Sequence, residues 1–264
     1  MSEIIKKQEL LSISVSTGTY AGMLGHLLSL SGHGSAYCCV ANVHMLVEGH
    51  KDPAFGRIVS DADVITPDGV PLSWALRLLY GIRQQRVAGM DLLPDLLKDA
   101  ETSGVSVYFY GSTDDVLDKL KGYLAIQYPG LKLAGVYSPP FRPLNKDEEG
   151  EIINRINQSA PGIVFVVLGC PKQEKWMASM KGRVNALMIG VGGALPVLIG
   201  AQKRAPSWMQ RYGLEWLYRL FQEPKRLFKR YFTTNIIFLG LLCRAFFRKL
   251  TGRPVSPKAD QQKK

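Results

Sequence analysis

Hydrophobic positions along this 264-residue chain alternate between two periods. Short unbroken apolar runs recur: "AYCCVAN" (36–42), "VSVYFYG" (105–111), "LKLAGVYS" (131–138), "GIVFVVLG" (162–169) and "NALMIGVGG" (185–193). They are too apolar to keep one wet face, so they read as strands buried on both sides. Between them lie stretches with helical spacing: "DVLDKLKGYLAIQY" (115–128), stopped by Pro129-Gly130, then "KDEEGEIINRINQS" (146–159) and "KQEKWMASMK" from Lys172. Nearer the start, "LLSISVS" (10–16) predicts a first strand and "TYAGMLGHLLSLS" (19–31) a helix. "VHMLVEGHKDPAFGRIVSDA" reads as helix in pieces, broken at Pro53. The brief strand Val64-Ile65-Thr66 runs through Pro67-Asp68-Gly69 into a helix from about Pro71 to Tyr80, with Gly81 suited to its end. The alternation predicts an α/β fold, a mostly parallel Rossmann-like sheet covered by helices on both faces. Ligands of such sheets sit at the carboxyl ends of the strands, where Asn42, Asp68, Gly111, Gly169 and Gly192 all fall.

Beyond about residue 200 the pattern turns basic, aromatic and helical. Residues 203–264 hold 15 Lys and Arg against 3 Asp and Glu, a net of +12, while the whole chain carries +11. The positive charge therefore belongs to this segment and calls for a polyanionic partner, either nucleic acid or an anionic membrane surface. The expected organisation is an α/β domain over 1–202 and a basic helical appendage over 203–264, whose last stretch, "RPVSPKADQQKK", reads as disordered. Within the appendage the apolar run from Ile236 to Cys243 is far short of the ~20 residues that span a bilayer. Lys225, Arg226, Lys229 and Arg230 precede it, Arg248 and Lys249 follow it, and Phe238, Phe246 and Phe247 lie within or beside it. That pattern describes a helix lying in a membrane interface; the other reading is a last helix packed on the body or at a subunit contact.

Cys38, Cys39, Cys170 and Cys243 follow no metal-binding spacing, and Cys38 and Cys39 point to opposite faces if their run is a strand. They read as reduced core thiols of a cytoplasmic protein. His26, His33, His44 and His50 show no zinc-type spacing either. The opening "MSEIIKKQELL" has no long apolar run behind its charges, so no secretory signal is expected there.

Four strings are candidates for chemistry. Asp68, before Gly at a strand-to-helix turn, is either a turn residue or a carboxylate on a rigid support. Arg86 in "QQRVAGMDLL" is either an exposed loop residue or a bidentate phosphate holder. In "LGCPKQEKWM" a buried strand ends at Gly169 and Lys172-Gln173-Glu174 open a helix. Gln173 both donates and accepts, as recognition of sugar hydroxyls requires, or is simply part of a polar first turn. "GVGGALPVLIG" (190–200) resembles a phosphate-cradling loop around Gly192 and Gly193, but Leu195 stands where a dinucleotide fingerprint has its third Gly. Asp61 and Asp63 form a D-x-D of the kind that holds a metal in some nucleotide-sugar enzymes, yet at the entrance of a strand.

Six strings in order resemble the bacterial glycosyltransferases of the WecG/TagA/CpsF family: Asn42 after its strand, "ADVITPDGVP", "RVAGMDLL", "QYPGLKLAG", "LGCPKQEKWM" and "GVGGALPVLIGAQKRAPSWMQRYGLEWLYRLFQEPKRLFKRY". They span about residues 37 to 232. The resemblance implies an inverting, metal-independent enzyme without a cofactor, moving a sugar from a UDP-sugar donor to a sugar carried on undecaprenyl diphosphate. The product would feed exopolysaccharide, teichoic acid or common antigen. It implies a peripheral position on the inner face of the plasma membrane. Asp68 falls on the family's base, and Asn42, Arg86 and Gln173 on its polar site positions. Tail arginines Arg211, Arg219, Arg226 and Arg230 are candidates for contact with the membrane or the lipid diphosphate. The sequence departs from the family at Val40, where many members carry Thr. Self-association as a homo-oligomer stays open.

Two other classes compete. The missing dinucleotide fingerprint argues against a nicotinamide-dependent oxidoreductase. A nucleic-acid module would use the basic tail and stack bases on Trp208, Tyr212, Trp216, Tyr218 and Phe221, but their spacing also fits the apolar side of a helix, and no nucleic-acid partner is expected.

Overall fold

The computed structural model describes residues 5–255. Its strands are β1 (Lys6–Leu10), β2 (Ile13–Thr17), β3 (Ala36–Ala41), β4 (Val64–Pro67), β5 (Val107–Gly111), β6 (Leu133–Tyr137), β7 (Ile163–Val167) and β8 (Leu187–Gly190). The helices of the body are α1 (Tyr20–Leu30), α2 (Val43–Lys51), α3 (Pro53–Ser60), α4 (Val70–Tyr80), α5 (Gly89–Ser103), α6 (Asp114–Gln127), α7 (Lys146–Gln158), α8 (Lys172–Met180) and α9 (Leu195–Leu198). The C-terminal helices are α10 (Ser207–Arg211), α11 (Glu215–Gln222) and α12 (Pro224–Leu250).

Strands β3 to β8 form one parallel sheet in the order β4-β3-β8-β7-β5-β6. Every residue of β3, β4, β5, β7 and β8 is buried, and only the edge strand β6 is partly exposed. Continuous apolar runs are thus what a sheet covered on both faces demands. Successive residues serve opposite faces: Cys39, Val164 and Val166 join a core with Leu46, Phe55, Leu72 and Met177, while Cys38, Ile163 and Phe165 join one with Met23, Leu92, Leu96 and Leu120. The neighbouring cysteines do point apart.

The first strand differs from its prediction. Instead of one strand over 10–16, β1 and β2 form an antiparallel hairpin outside the parallel sheet, turning at Leu11, whose φ is 60°. The polar "KKQEL" of β1 keeps a wet face, so no apolar run announces it. Helix α5, with Leu92, Leu93, Leu96 and Leu97 buried, has Pro94 inside it.

Helix α12 also outruns its apolar stretch and lies against α2 and α4. Leu227, Phe238 and Ala245 are buried, while Phe228, Phe232, Ile236, Leu239, Phe247 and Leu250 are exposed. The helix is apolar on two sides, one of them packed on the body. The end of the chain that reads as disordered lies outside the described residues from 256 onward.

Candidate active site

Register brings four strand ends together. Ala41 of β3 pairs with Pro67 of β4, so Asn42 and Asp68 leave the sheet side by side. Cys39 and Val166 both pair with Gly190, which sets the turns after β7 and β8 beside them. These ends open on a cleft of about 490 Å³ lined by Asn42, Asp68, Arg86, Gln173, Gly192, Gly193, Arg219 and Arg230, among others. The walls come from α2, α4, the start of α5, and the C-terminal helices α11 and α12. Arg211, exposed on α10, does not line the cleft, and the side chain of Arg226 lies outside the described residues.

Asp68 sits where β4 turns into α4. Its N–H donates to the Ala41 carbonyl (2.7 Å), which ties the turn to β3. Gly69 follows with φ 106°, a backbone that a side chain would strain, and Pro71 stands in the first turn of the helix. No hydrogen bond to the Asp68 carboxylate exists among the described residues. Burial pushes its pKa up to about 7; Arg86 and Arg219 pull it down, and the carboxylates of Glu215 and Asp91 push it further up.

Arg86 is already engaged. It donates to Asp91 (2.8 Å) and to Glu215 of α11, and Arg204 bonds the same Asp91 (2.5 Å). Two arginines and two carboxylates thus tie the start of α5 to the C-terminal segment. The sequence reading missed Glu215. Its one signal is scarcity, because Glu215 and Glu223 are the only acids between Lys203 and Arg253.

Asn42 caps α2, its Oδ1 accepting from the Met45 N–H (3.1 Å). Val40, where a Thr was the family expectation, faces the cleft and packs toward Gly89. His44, a further wall residue, has a buried Nδ1 with no partner among the described residues, and burial lowers its pKa, with Arg230 adding to the effect.

The glycine loop after β8 accommodates side chains. A Cβ on Gly190 would come 2.8 Å from Gln173 Nε2, one on Gly192 3.0 Å from Gln173 Oε1, and one on Gly193 3.1 Å from Arg219 Nη2. Arg219 also donates to the Gly193 carbonyl (3.0 Å).

Asp63 stands at the opposite end of the sheet, accepting from the Tyr37 N–H (2.9 Å) and from Lys181 Nζ (2.8 Å). Asp61 is exposed beyond α3. Among the described residues no three His, Cys, Asp or Glu side chains are grouped as a metal ion would need.

The sequence model of the glycosyl transferase WecG/TagA/CpsF family matches residues 8–252. Two similar proteins both bear the name N-acetylglucosaminyldiphosphoundecaprenol N-acetyl-beta-D-mannosaminyltransferase. That of Bacillus spizizenii (strain ATCC 23059 / NRRL B-14472 / W23) is 35% identical over 192 residues, 72% of this chain and 73% of its own length. That of Bacillus subtilis (strain 168) is 35% identical over 177 residues, 67% of each chain.

Proposed function

The chain belongs to the WecG/TagA/CpsF family of glycosyl transferases, and on that premise we propose that it moves a sugar from a UDP-sugar to a sugar carried on undecaprenyl diphosphate, in the synthesis of a cell-surface polysaccharide. The observation that carries this reading is Asp68: a carboxylate with no hydrogen-bond partner among the described residues and a pKa near neutrality, facing a cleft that also holds Arg219 and Arg230. A base works best when its pKa lies near the working pH. Asp68 takes the proton of the acceptor hydroxyl as that oxygen bonds to the anomeric carbon. The bond from that carbon to the diphosphate oxygen breaks, the electron pair leaves with UDP, and the anomeric configuration inverts. Arg219 and Arg230 meet the charge that develops on the leaving diphosphate. Arg86 contributes after exchanging a carboxylate for a phosphate, or by holding α11 over the cleft. Asn42 Nδ2 and Gln173 offer donors to the sugar or phosphate oxygens.

The relatives' names specify an N-acetylmannosaminyl group and an N-acetylglucosaminyl acceptor, and these head the substrates to test. Full-length protein is incubated with UDP-ManNAc, UDP-ManNAc uronate, UDP-glucose or UDP-GlcNAc and an N-acetylglucosaminyl diphospholipid. Acceptor-dependent release of UDP with one donor is the expected result; no transfer with any donor sinks the reading. Because arginines supply the positive charge, turnover is expected to persist in excess EDTA. Loss in EDTA and recovery with Mn or Mg would refute metal independence.

The exposed side of α12 supports the proposed peripheral membrane position. Phe228, Phe232, Ile236, Leu239, Phe247 and Leu250 recur three, four or eight residues apart and so share one side of the helix, amid Lys225, Lys229 and Lys249. No helix among the described residues is long and apolar enough to cross a membrane. Deleting residues 203–264 would strip buried Leu227, Phe238 and Ala245 from the core, so replacing Phe228, Phe232, Ile236 and Leu239 together by Ser is the better probe. The variant is expected to lose sedimentation with anionic liposomes while staying folded. Equal sedimentation of variant and parent would overturn the proposal.

A further inference from the structure

One buried acid beside the cleft has no part in the chemistry above. Glu174, the third residue of α8, is 0% exposed. Its Oε1 accepts from Gln173 Nε2 (2.7 Å), and its Oε2 is buried with no hydrogen-bond partner among the described residues. No Lys or Arg forms an ion pair with it among the described residues, and its polar surroundings are Gln173 and the thiols of Cys170 and Cys39. A charged carboxylate in such a place is costly without a cation, and burial indeed pushes its pKa up.

Beside its contact with the Cys170 thiol, Glu174 holds one residue of the cleft wall. Gln173, 5% exposed and on the cleft wall, has its Oε1 taken by the Gly169 N–H (3.1 Å) and one Nε2 hydrogen by Glu174. Turning the amide over would set its NH2 group against the Gly169 N–H and its oxygen against the Glu174 oxygen. The first contact would be repulsive, and the bond that Glu174 Oε1 now accepts would be lost. The amide also lies where Cβ atoms on Gly190 and Gly192 would collide with it, so little room is left for another orientation. Its second Nε2 hydrogen is the one remaining to serve a ligand.

We propose that Glu174 is a positioning residue that, as a hydrogen-bond acceptor, fixes the Gln173 amide with its NH2 group available to the sugar donor. The proposal deepens the glycosyl-transfer reading and rests on it for the identity of the ligand. Glu174→Gln keeps an acceptor for Gln173 and turns its own NH2 group toward the Cys170 sulfur. Glu174→Met keeps the volume and removes the acceptor.

The test uses the full-length protein and two readouts. In kinetics, Glu174→Met is expected to raise the donor KM roughly 5- to 10-fold, the size of one lost hydrogen bond, with kcat within about 2-fold. Glu174→Gln stays within about 2-fold of the parent in both constants. In 15N NMR, the Gln173 side-chain NH2 pair, identified by its loss in Gln173→Ala, exchanges slowly with solvent in the parent and in Glu174→Gln, and quickly in Glu174→Met. An unchanged KM in Glu174→Met, or a Glu174→Gln variant as impaired as Glu174→Met, overturns the proposal. If Glu174→Met does not fold, Glu174→Gln decides: retention of both parental readouts supports the proposal and loss of either overturns it. If the parent transfers no sugar from any UDP donor, the glycosyl-transfer reading fails, while the NH2 exchange still judges the positioning role. Slow exchange in the parent that is lost in Glu174→Met supports it, and fast exchange in the parent overturns it.

Discussion

Strand β4 carries an aspartate at each end, and the protein treats them oppositely. Asp63, at the entrance, has one oxygen on the Tyr37 N–H and the other on Lys181. Asp68, five residues on at the exit, has no hydrogen bond to its carboxylate among the described residues, and burial pushes its pKa up to about 7. The same side chain is a satisfied structural tie at one edge of the sheet and, in the reaction proposed above, the base at the other. Asp63 is given partners; Asp68 is half-buried on the cleft wall without them, an arrangement that costs the fold and suits a base.

The largest break in this contrast should come from Asp68→Asn. Turnover is expected to fall by roughly 100-fold or more, with donor affinity kept. A variant retaining half the parental rate would remove Asp68 from the chemistry. Next in size is the acid side of the pH profile. The base must be deprotonated, so kcat/KM should fall about 10-fold per pH unit below the Asp68 pKa of about 7. A flat profile down to pH 5 would contradict the assignment.

Stability should respond in the opposite sense at the two ends. Asp63→Ala orphans the Tyr37 N–H and Lys181, and should cost about 1–3 kcal/mol in denaturant unfolding while kcat stays unchanged. Asp68→Asn should instead raise the melting temperature above pH 7. The folded pKa is raised above the ordinary value of 3.8, so the native state binds the proton more tightly and wild-type stability falls as pH rises between the two values. The advantage of the Asn variant should therefore shrink as pH drops from 7 toward 4, and an equal melting temperature at pH 8 would count against the burial argument. The smallest expected effect belongs to Glu215→Gln. Glu215 raises the Asp68 pKa and also occupies Arg86, so its neutralisation should move the acid limb to lower pH. A limb that moves up would contradict this electrostatic account.

The sheet was legible because each central strand is an unbroken apolar run, and Asp68 because it stands just past one of them. What escaped the sequence depends on distant partners or on one-sided patterns. The pairing of Arg86 with Glu215 joins residues 129 positions apart, and no local spacing encodes it. Helix α12 was underestimated because Ile236 to Cys243 stood out as a run, whereas the packed side is marked only by widely spaced Leu227, Phe238 and Ala245. The glycines after β8 read as a phosphate cradle by composition; in the fold they leave space for Gln173 and Arg219. A missing side chain in a sequence does not say which atoms fill the gap.

The cleft draws on both ends of the chain, Asn42 and Asp68 from early strands, Arg219 and Arg230 from the last helices. During synthesis the ribosome delivers the acid long before the cations. A nascent chain that stalls or is cut before α11 carries Asp68 but lacks Arg219, Arg230 and the Glu215 that binds Arg86. No translation product that ends before Arg230 holds all of these cleft residues, so such a chain would meet the substrate with only part of the cleft.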